Sequence, residues 1–246
     1  MAETDDAVVD AQDDLAAAVL RPLRAHHAFE SCVEMLATSI RLGIYPDGST
    51  LPPERELAER MGVSRSTLRE AISALRDAGL LTTRRGRGGG SVVEFHPEEP
   101  GASTKLERPR DELLDALEFR RIVEPGAAHA AATRTLSESQ TELLQASLER
   151  VSSAAGKAVH RQADAQFHLA IASLTESPLL IDAVTNVQVR LHEMLGAIPV
   201  LDRNIDHSRQ QHAAIVEAIL AGDATKARRV MESHCDDTAA LLRGLM

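Results

Sequence analysis

The sequence is poor in aromatic side chains: among its 246 residues there is no Trp, one Tyr and four Phe. Aromatic rings usually supply much of the volume of a protein interior, so we expect Leu, Ile, Val and Ala to fill this one instead. Cysteine is also scarce. Cys32 and Cys235 fall in what should be separate domains, which predicts no structural disulfide and fits a reducing cytoplasm.

Long apolar runs are missing as well. No stretch approaches the roughly 20 apolar residues that a membrane-spanning helix needs. The opening residues are acidic, whereas a secretory signal starts with a basic segment followed by an apolar one. We therefore expect a soluble cytoplasmic protein without a membrane partner, long enough for two modest domains.

The net charge of -10 argues against a protein that binds polyanions over its whole surface. The excess of acidic residues lies in 1–25 and in 97–246, whereas 26–96 holds nine basic and nine acidic residues. Within that neutral region the arginines are concentrated in two short stretches. Any binding to nucleic acid should therefore be local and sensitive to salt.

The first arginine stretch lies in a predicted helix-turn-helix. Residues 54–60 read as one helix, 61–63 as the turn and 64–78 as a second helix that Ser64 caps. The second helix buries one apolar face through Leu68, Ala71, Ile72 and Leu75. Its other face carries Arg65, Ser66, Thr67 and Arg69, at the end that a recognition helix points into the major groove.

The second arginine stretch follows as a predicted β-hairpin. Gly79 ends the helix, 80–84 reads as a strand, 86–90 as a tight turn and 91–95 as the return strand. The tip brings the guanidiniums of Arg84, Arg85 and Arg87 to a glycine-rich backbone, as a minor-groove or phosphate contact requires. Either half alone could equally be a solvated surface. Their order and closeness favour a winged helix-turn-helix.

These motifs resemble the DNA-binding domain of GntR-family bacterial transcription regulators. The matching patterns are Leu-Pro-x-Glu-Arg-x-Leu-Ala at 51–58, Ser-Arg-x-Thr-x-Arg-Glu-Ala at 64–71 and the glycine-rich wing. The resemblance implies that DNA contacts come from Arg55, Arg65, Ser66, Thr67, Arg69 and Gly86, and the wing tip adds Arg85.

The patterns predict a mainly α protein in four segments. Residues 1–25 form an acidic, disordered tail, and 26–96 form the winged domain, whose first helix carries the stripe Phe29, Val33, Leu36 and Ile40. A polar linker with Pro and Gly covers 97–109. The rest, 110–246, reads as an all-helical bundle of about six helices at 110–132, 137–154, 157–174, 178–197, 204–221 and 223–244.

Two details of the bundle follow from single residues. Pro125 sits inside the first of these helices and should kink or split it. Phe119 and Phe167 are the one aromatic pair that could help to fill the interior.

Histidines on apolar helical stripes mark a candidate site in the bundle. Asp164 and His168 are four residues apart and share a helix face, while His212 and His234 lie on the inner stripes of later helices. A single histidine on such a stripe is usually a hydrogen-bonded core residue. Three of them with one aspartate favour a divalent ion, with zinc the first choice and nickel or manganese as alternatives.

This region also resembles the FCD ligand-binding domain of the FadR-like GntR branch. The matching patterns are Asp-x-x-Phe-His at 164–168, His212 before Ile-x-x-Ala-Ile and Gly-Asp, and Met-x-x-His at 231–234. The resemblance implies that Asp164, His168, His212 and His234 bind a metal whose open positions, with a nearby arginine, hold a small carboxylate. The chain departs from the family pattern at 176–178, in a loop.

Arg120 is the predicted effector-binding arginine because it falls on the inward stripe Leu113, Leu117, Arg120, Glu124. Internal pairing of Arg120 with Glu124 is an equal alternative. Asn186 is a second candidate for the effector pocket, together with Arg190, although both could lie on the surface. His160 and His192 are expected at the surface or behind the metal ligands.

These observations predict a metabolite-responsive transcription regulator, a repressor that binds a palindromic double-stranded DNA operator as a homodimer. A small organic acid would complete the coordination of the metal and change the spacing of the two DNA domains through the linker. One alternative is a regulator for which the ion itself is the signal. A more distant one is a metal-dependent hydrolase with Glu124 as the general base.

Overall fold

The computed structural model describes residues 28–84, 86, 90–96, 110–195 and 202–245. The predicted disordered tail, the predicted linker at 97–109 and the wing-tip residues Arg85 and Arg87 lie outside the described residues. None of the described helices is long and apolar enough to cross a membrane.

The N-terminal part is a winged helix-turn-helix, as predicted. Its elements are α1 (Ala28–Arg41), α2 (Glu54–Met61), α3 (Arg65–Asp77), β1 (Leu81–Arg84) and β2 (Gly90–Val93). The two strands pair antiparallel, with Leu81 opposite Val93 and Arg84 opposite Gly90. Thr50 adds a bridge to Val92, so the segment before α2 is tied to the wing.

Local chemistry accounts for the turn between α2 and α3. Gly62 ends α2 at a φ of 65°, a left-handed conformation that glycine adopts without steric cost. Ser64 begins α3 because its Oγ accepts a hydrogen bond from the backbone N–H of Thr67 at 3.1 Å. The apolar stripes of the three helices then meet the wing in one core, which includes Leu36, Ile40, Leu57, Leu68, Ile72, Leu75, Leu81 and Val93.

Six helices form the C-terminal bundle in the part of the chain described after residue 109. They are α4 (Arg110–Ala132), α5 (Glu138–Ser153), α6 (Lys157–Ser173), α7 (Pro178–Leu195), α8 (Asp202–Leu220) and α9 (Ala224–Leu245). Helix α4 packs against α6, α7, α8 and α9, which places it at the centre. The main core is built largely from Ala, Leu, Val and Ile with Phe167, as the composition predicts.

Two residues of α4 bear on the predictions. Pro125 does not split the helix, which runs through it, so the split that was one of the two expected effects is absent. Phe119 does not fill the core: its side chain is 41% exposed, because it lies two residues from the buried Leu117 and so on the opposite side of the helix. Phe167 is the buried aromatic ring of this part.

Helix α6 also touches the winged part. The Nε2 of Gln162 donates to the backbone carbonyl of Arg41 at 3.0 Å, and the Nε2 of Gln166 donates to that of Leu42 at 2.9 Å. The last carbonyls of a helix lack partners within the helix, so the two glutamines satisfy them at the end of α1. Gly43 follows, with a φ of 67°, and a Cβ there would lie 2.8 Å from the Cδ of Gln162.

Candidate metal centre and DNA-contacting surface

The predicted DNA-contacting residues lie at the start of α3 and on its neighbours. Arg65 is the first residue of α3 and is exposed, as is Arg55 on α2. The hydroxyls of Ser66 and Thr67 each lie 2.8 Å from the Oγ of Ser64, so they form part of the helix cap. A phosphate contact would therefore draw on an ordered cluster of hydroxyls.

Arg69 has a partner within the protein. Its Nε donates to Glu54 Oε2 at 2.6 Å, joining α3 to α2, and both side chains are more than a third exposed. A DNA contact through Arg69 must use its remaining guanidinium nitrogens or replace this ion pair. In the wing, Gly86 has a φ of 106°, and a Cβ there would meet nothing within 4 Å, so the backbone is open to a ligand.

Four potential metal ligands converge inside the bundle. They come from three helices: Asp164 and His168 from α6, His212 from α8 and His234 from α9. Their ligand atoms all lie within 4.8 Å of one another. The three histidines are fully buried, whereas the Asp164 side chain keeps 29% of its surface exposed. The aspartate is thus the member of the cluster that solvent reaches.

Arg120 fixes the orientation of two imidazoles. Its NH2 donates to the Nε2 of His168 at 3.1 Å and to the Nε2 of His234 at 3.2 Å. A guanidinium can only donate, so both Nε2 atoms accept, and the protons of these neutral rings reside on Nδ1. The Nε2 lone pairs of both rings therefore point to the same guanidinium nitrogen.

The outer nitrogens of these rings face further polar groups. His234 Nδ1 donates a hydrogen bond to the Oε1 of Gln211 at 3.1 Å. His168 Nδ1 lies 3.0 Å from Glu124 Oε2, although its N–H is not aligned with that oxygen. Metal-binding histidines usually carry an acceptor of this kind behind the ring, which fixes the tautomer.

His212 lies at the open side of the cluster. Its Nε2 is 3.4 Å from Asp164 Oδ1 and 3.3 Å from the Oγ of Ser208, while its buried Nδ1 has no hydrogen-bond partner among the described residues. Burial lowers the pKa of His212 to about 3, against the opposing effect of the Asp164 carboxylate. The ring is therefore neutral near pH 7, the form in which imidazole binds a metal.

A buried ion pair supports the cluster. Arg120 Nε donates to Glu124 Oε2 at 2.9 Å, and both side chains are at most 3% exposed. Burial alone would raise the pKa of Glu124, but the charge of Arg120 and the neighbouring His168 lower it by more than burial raises it. The net pKa lies below its usual value, so the carboxylate is ionised. Gln188 Nε2 donates to the other oxygen at 2.5 Å, and the Cys235 thiol, whose pKa is raised by burial, lies 3.6 Å from Glu124 Oε2.

The residues present fit a divalent ion. Three imidazoles and one carboxylate suit a borderline metal such as zinc, and the buried Nδ1 of His212 has no hydrogen-bond partner among the described residues. Arg120 and a cation would compete for the lone pairs of His168 and His234. A bound metal therefore requires the guanidinium to leave them.

Two predicted placements differ in the structure. Asn186 is exposed and donates to the carbonyl of Asp182 at 3.0 Å, so it does not line the site. Gln188, two residues later and buried, reaches Glu124 instead. His160 is 6% exposed, which excludes the surface position and leaves the alternative that it lies behind the metal ligands.

Sequence reasoning missed three supporting residues: Gln188, Gln211 and Cys235. Gln188 could have been found as a polar residue on the apolar stripe of Val184 and Leu191. Gln211 precedes His212 without a distinguishing pattern. Cys235 follows His234, and its contact with Glu124 spans 111 positions of sequence.

Comparisons with known proteins agree with this architecture. The family model described as "Bacterial regulatory proteins, gntR family" matches residues 29–90, and the model described as "FCD domain" matches 115–237. An uncharacterised HTH-type transcriptional regulator of Mycobacterium tuberculosis is 33% identical, over 90% of this chain and 92% of its own length. A candidate L-lactate dehydrogenase operon regulatory protein of Escherichia coli is 34% identical, over 76% and 75%.

The structure of E. coli McbR/YncC is similar over 89% of this chain and 98% of that one. Its TM-score is 0.54 and its sequence identity 20%, so the likeness supports the fold alone.

Proposed function

Because the chain belongs to the GntR family of bacterial regulatory proteins and carries an FCD domain, we propose a mechanism for a transcription regulator. Proteins of this kind respond to metabolites and are not enzymes. We propose a cytoplasmic repressor that binds a palindromic operator as a homodimer. Residues 26–96 would read DNA, 97–109 would link the two parts, and 110–246 would bind a metal and a small carboxylate.

The convergence of four ligand atoms on one point of the bundle carries the proposal. Asp164, His168, His212 and His234 would hold a divalent ion, zinc first, and the ion would offer open positions to an anionic oxygen. The aspartate's partial exposure supplies a route from solvent. Arg120 would bind the effector carboxylate through the guanidinium nitrogen that contacts the two imidazoles, while its Nε keeps Glu124 as partner.

The name of one relative suggests the class of effector. The Escherichia coli protein is named for an L-lactate dehydrogenase operon. We propose that this chain likewise responds to a small hydroxy acid. Its carboxylate would compete with Glu124 for Arg120.

Helix α6 would carry the response to the winged part. Gln162 and Gln166 lie two residues before and two after Asp164, and both bond the end of α1. A shift of α6 by a fraction of a hydrogen-bond length would therefore move α1, and with it the recognition helix α3 that packs against it. The effector must bind one arrangement better than the other for the operator affinity to change.

A homodimer would place two recognition helices on the two half-sites of a palindrome. The central helix α4 exposes two large apolar side chains less than one turn apart, Phe119 at 41% and Ile122 at 66%. Solvent-exposed pairs of this kind are common at subunit interfaces. We propose that they form part of the dimer contact.

The competition between Arg120 and a cation for the same lone pairs also favours a second candidate. In that case the ion is itself the signal, because its binding would release Arg120 and change the packing around Glu124.

One experiment tests both candidates. A chelator first removes metal from the protein, which is then reloaded with zinc and given L-lactate. Thermal melting and operator retardation are measured at each stage, for the parent and for His212→Ala. The proposal expects zinc to raise the melting temperature, and L-lactate to raise it further and weaken operator binding only in the loaded protein. His212→Ala should bind zinc at least tenfold more weakly. A change of operator affinity with zinc alone would favour the metal sensor, and zinc binding unaffected by His212→Ala would refute the ligand set.

A further inference from the structure

A cavity of about 390 Å³ lies beside the N-terminal turns of α6 and α8. His160 lines it and precedes Asp164 by four residues on α6, and Arg209 lines it and precedes His212 by three on α8. Residues at these spacings share a helix face. The cavity therefore lies on the same helix faces as Asp164 and His212, one turn before them, and its size lies within the range of small-ligand sites.

The lining of the cavity is built to receive an anion. The first turn of α6 begins there at Gly156 and Lys157, and the glycine provides no side-chain cap for the helix N-terminus. Unpaired backbone N–H groups and the helix dipole favour negative charge at such an end. Lys157 and Arg209 add two cationic side chains to the same wall.

Two buried nitrogens of the lining have no partner in the part of the chain that the structure describes. They are the Nδ1 of His160, a side chain 6% exposed, and the Nε of Arg209. An unsatisfied buried donor costs about 1–3 kcal/mol, so a ligand oxygen that accepts from it stabilises the complex. The features of the helix end and of the side chains thus point to the same kind of ligand.

One acidic residue also lines the cavity. The Oδ1 of Asp206 lies 3.3 Å from Arg209 NH1, but its side chain is 73% exposed and belongs to the rim. It pairs with one nitrogen of Arg209 and leaves the buried Nε available. Asp206 makes no ion pair with Lys157 among the described residues.

We propose that this cavity, lined by Gly156, Lys157, His160 and Arg209, is an anion subsite for a second acidic group of the effector. The inference rests on the proposed function, in which the first carboxylate binds at Arg120 and the metal cluster. The four residues from His160 to Asp164 rise about 6 Å along α6, so an effector bound beside Asp164 would reach the cavity with a short carbon skeleton between its two acidic groups. The effector is then a dianionic hydroxy acid.

Calorimetric titration of the zinc-loaded full chain with three probes tests the subsite. L-lactate has one carboxylate, L-malate has a second carboxylate, and 3-phosphoglycerate has a phosphate in its place. We expect L-malate or 3-phosphoglycerate to bind at least tenfold more tightly than L-lactate. Arg209→Gln should weaken the tighter of these two about tenfold, equivalent to about 1.4 kcal/mol, and leave L-lactate unchanged.

A matched control variant and two results that would contradict the proposed subsite complete the experiment. Arg229→Gln removes the same charge from an exposed position on α9 and should alter no affinity. Should Arg209→Gln fail to fold, as judged by its circular dichroism, Lys157→Gln replaces it with the same expectation. Binding of L-lactate at equal or higher affinity than both dianions would overturn the subsite and leave the proposed function intact. Absence of binding by all three probes would overturn both.

Discussion

Replacing Glu124 by Leu should destabilise the bundle more than any surface change. The carboxylate is 1% exposed and pairs with Arg120, itself 2% exposed, so the substitution leaves a buried guanidinium without its anion. Removing one partner of such a pair costs about 3–5 kcal/mol, a large part of the roughly 5–15 kcal/mol that holds a typical protein folded. The melting temperature should fall by roughly 10 °C.

The assay is urea and thermal denaturation followed by circular dichroism. Glu142→Leu makes the same chemical change at an exposed position of α5 and should stay within about 0.5 kcal/mol of the parent. The double variant Arg120→Leu with Glu124→Leu removes both charges and should recover most of the loss. Zinc affinity of Glu124→Leu should fall about 10–100-fold, because His168 loses the carboxylate behind its ring.

Two results would contradict this prediction. One is a loss of less than about 1 kcal/mol in the free energy of unfolding of Glu124→Leu, and the other is a double variant no more stable than the single one. Either result would mean that Arg120 finds another partner or solvent, and that its contacts with the imidazoles do not depend on Glu124.

Three further changes test the other parts of the molecule. Arg65→Ala should weaken operator binding by about 1–3 kcal/mol in a fluorescence anisotropy titration, with the dimer unchanged; full affinity would remove Arg65 from the DNA contact. Gln166→Leu removes the hydrogen bond to Leu42, so the effector should still bind in calorimetry but should shift operator affinity less than in the parent. Ile122→Glu should raise the dimer dissociation constant at least tenfold in analytical ultracentrifugation, whereas an unchanged dimer would place the interface elsewhere.

Periodicity was sufficient for the elements and for the histidine cluster. An inward stripe brings each of His168, His212 and His234 to the interior, and regular helices leave little choice about which face that is. The inward stripe also placed Arg120 in the interior, where it makes the pairing with Glu124 that the sequence left as an alternative to effector binding.

The predictions of which residues at the edge of a helix face are buried were wrong at several positions. Consecutive residues differ by about 100° in direction, so the boundary between inner and outer faces is uncertain by a residue or two. Asn186 lies outside that boundary and Gln188 inside it, and Phe119 lies outside beside the buried Arg120.

Contacts between the two parts were beyond sequence reasoning. Gln162 and Gln166 look like ordinary solvated residues, and their partners are backbone carbonyls more than 120 positions away. The sequence suggested the linker as the connection between the two parts, whereas the described residues show a direct contact between α6 and α1.

Position 43 has a genetic consequence. A methyl group there would meet the ends of the Gln162 and Gln166 side chains on a left-handed backbone, so Gly43→Ala would strain the turn and displace the two glutamines from the end of α1 even without an inducer. A selection for constitutive alleles of this regulator should therefore recover substitutions of Gly43, in a codon that specifies neither a DNA contact nor a ligand contact.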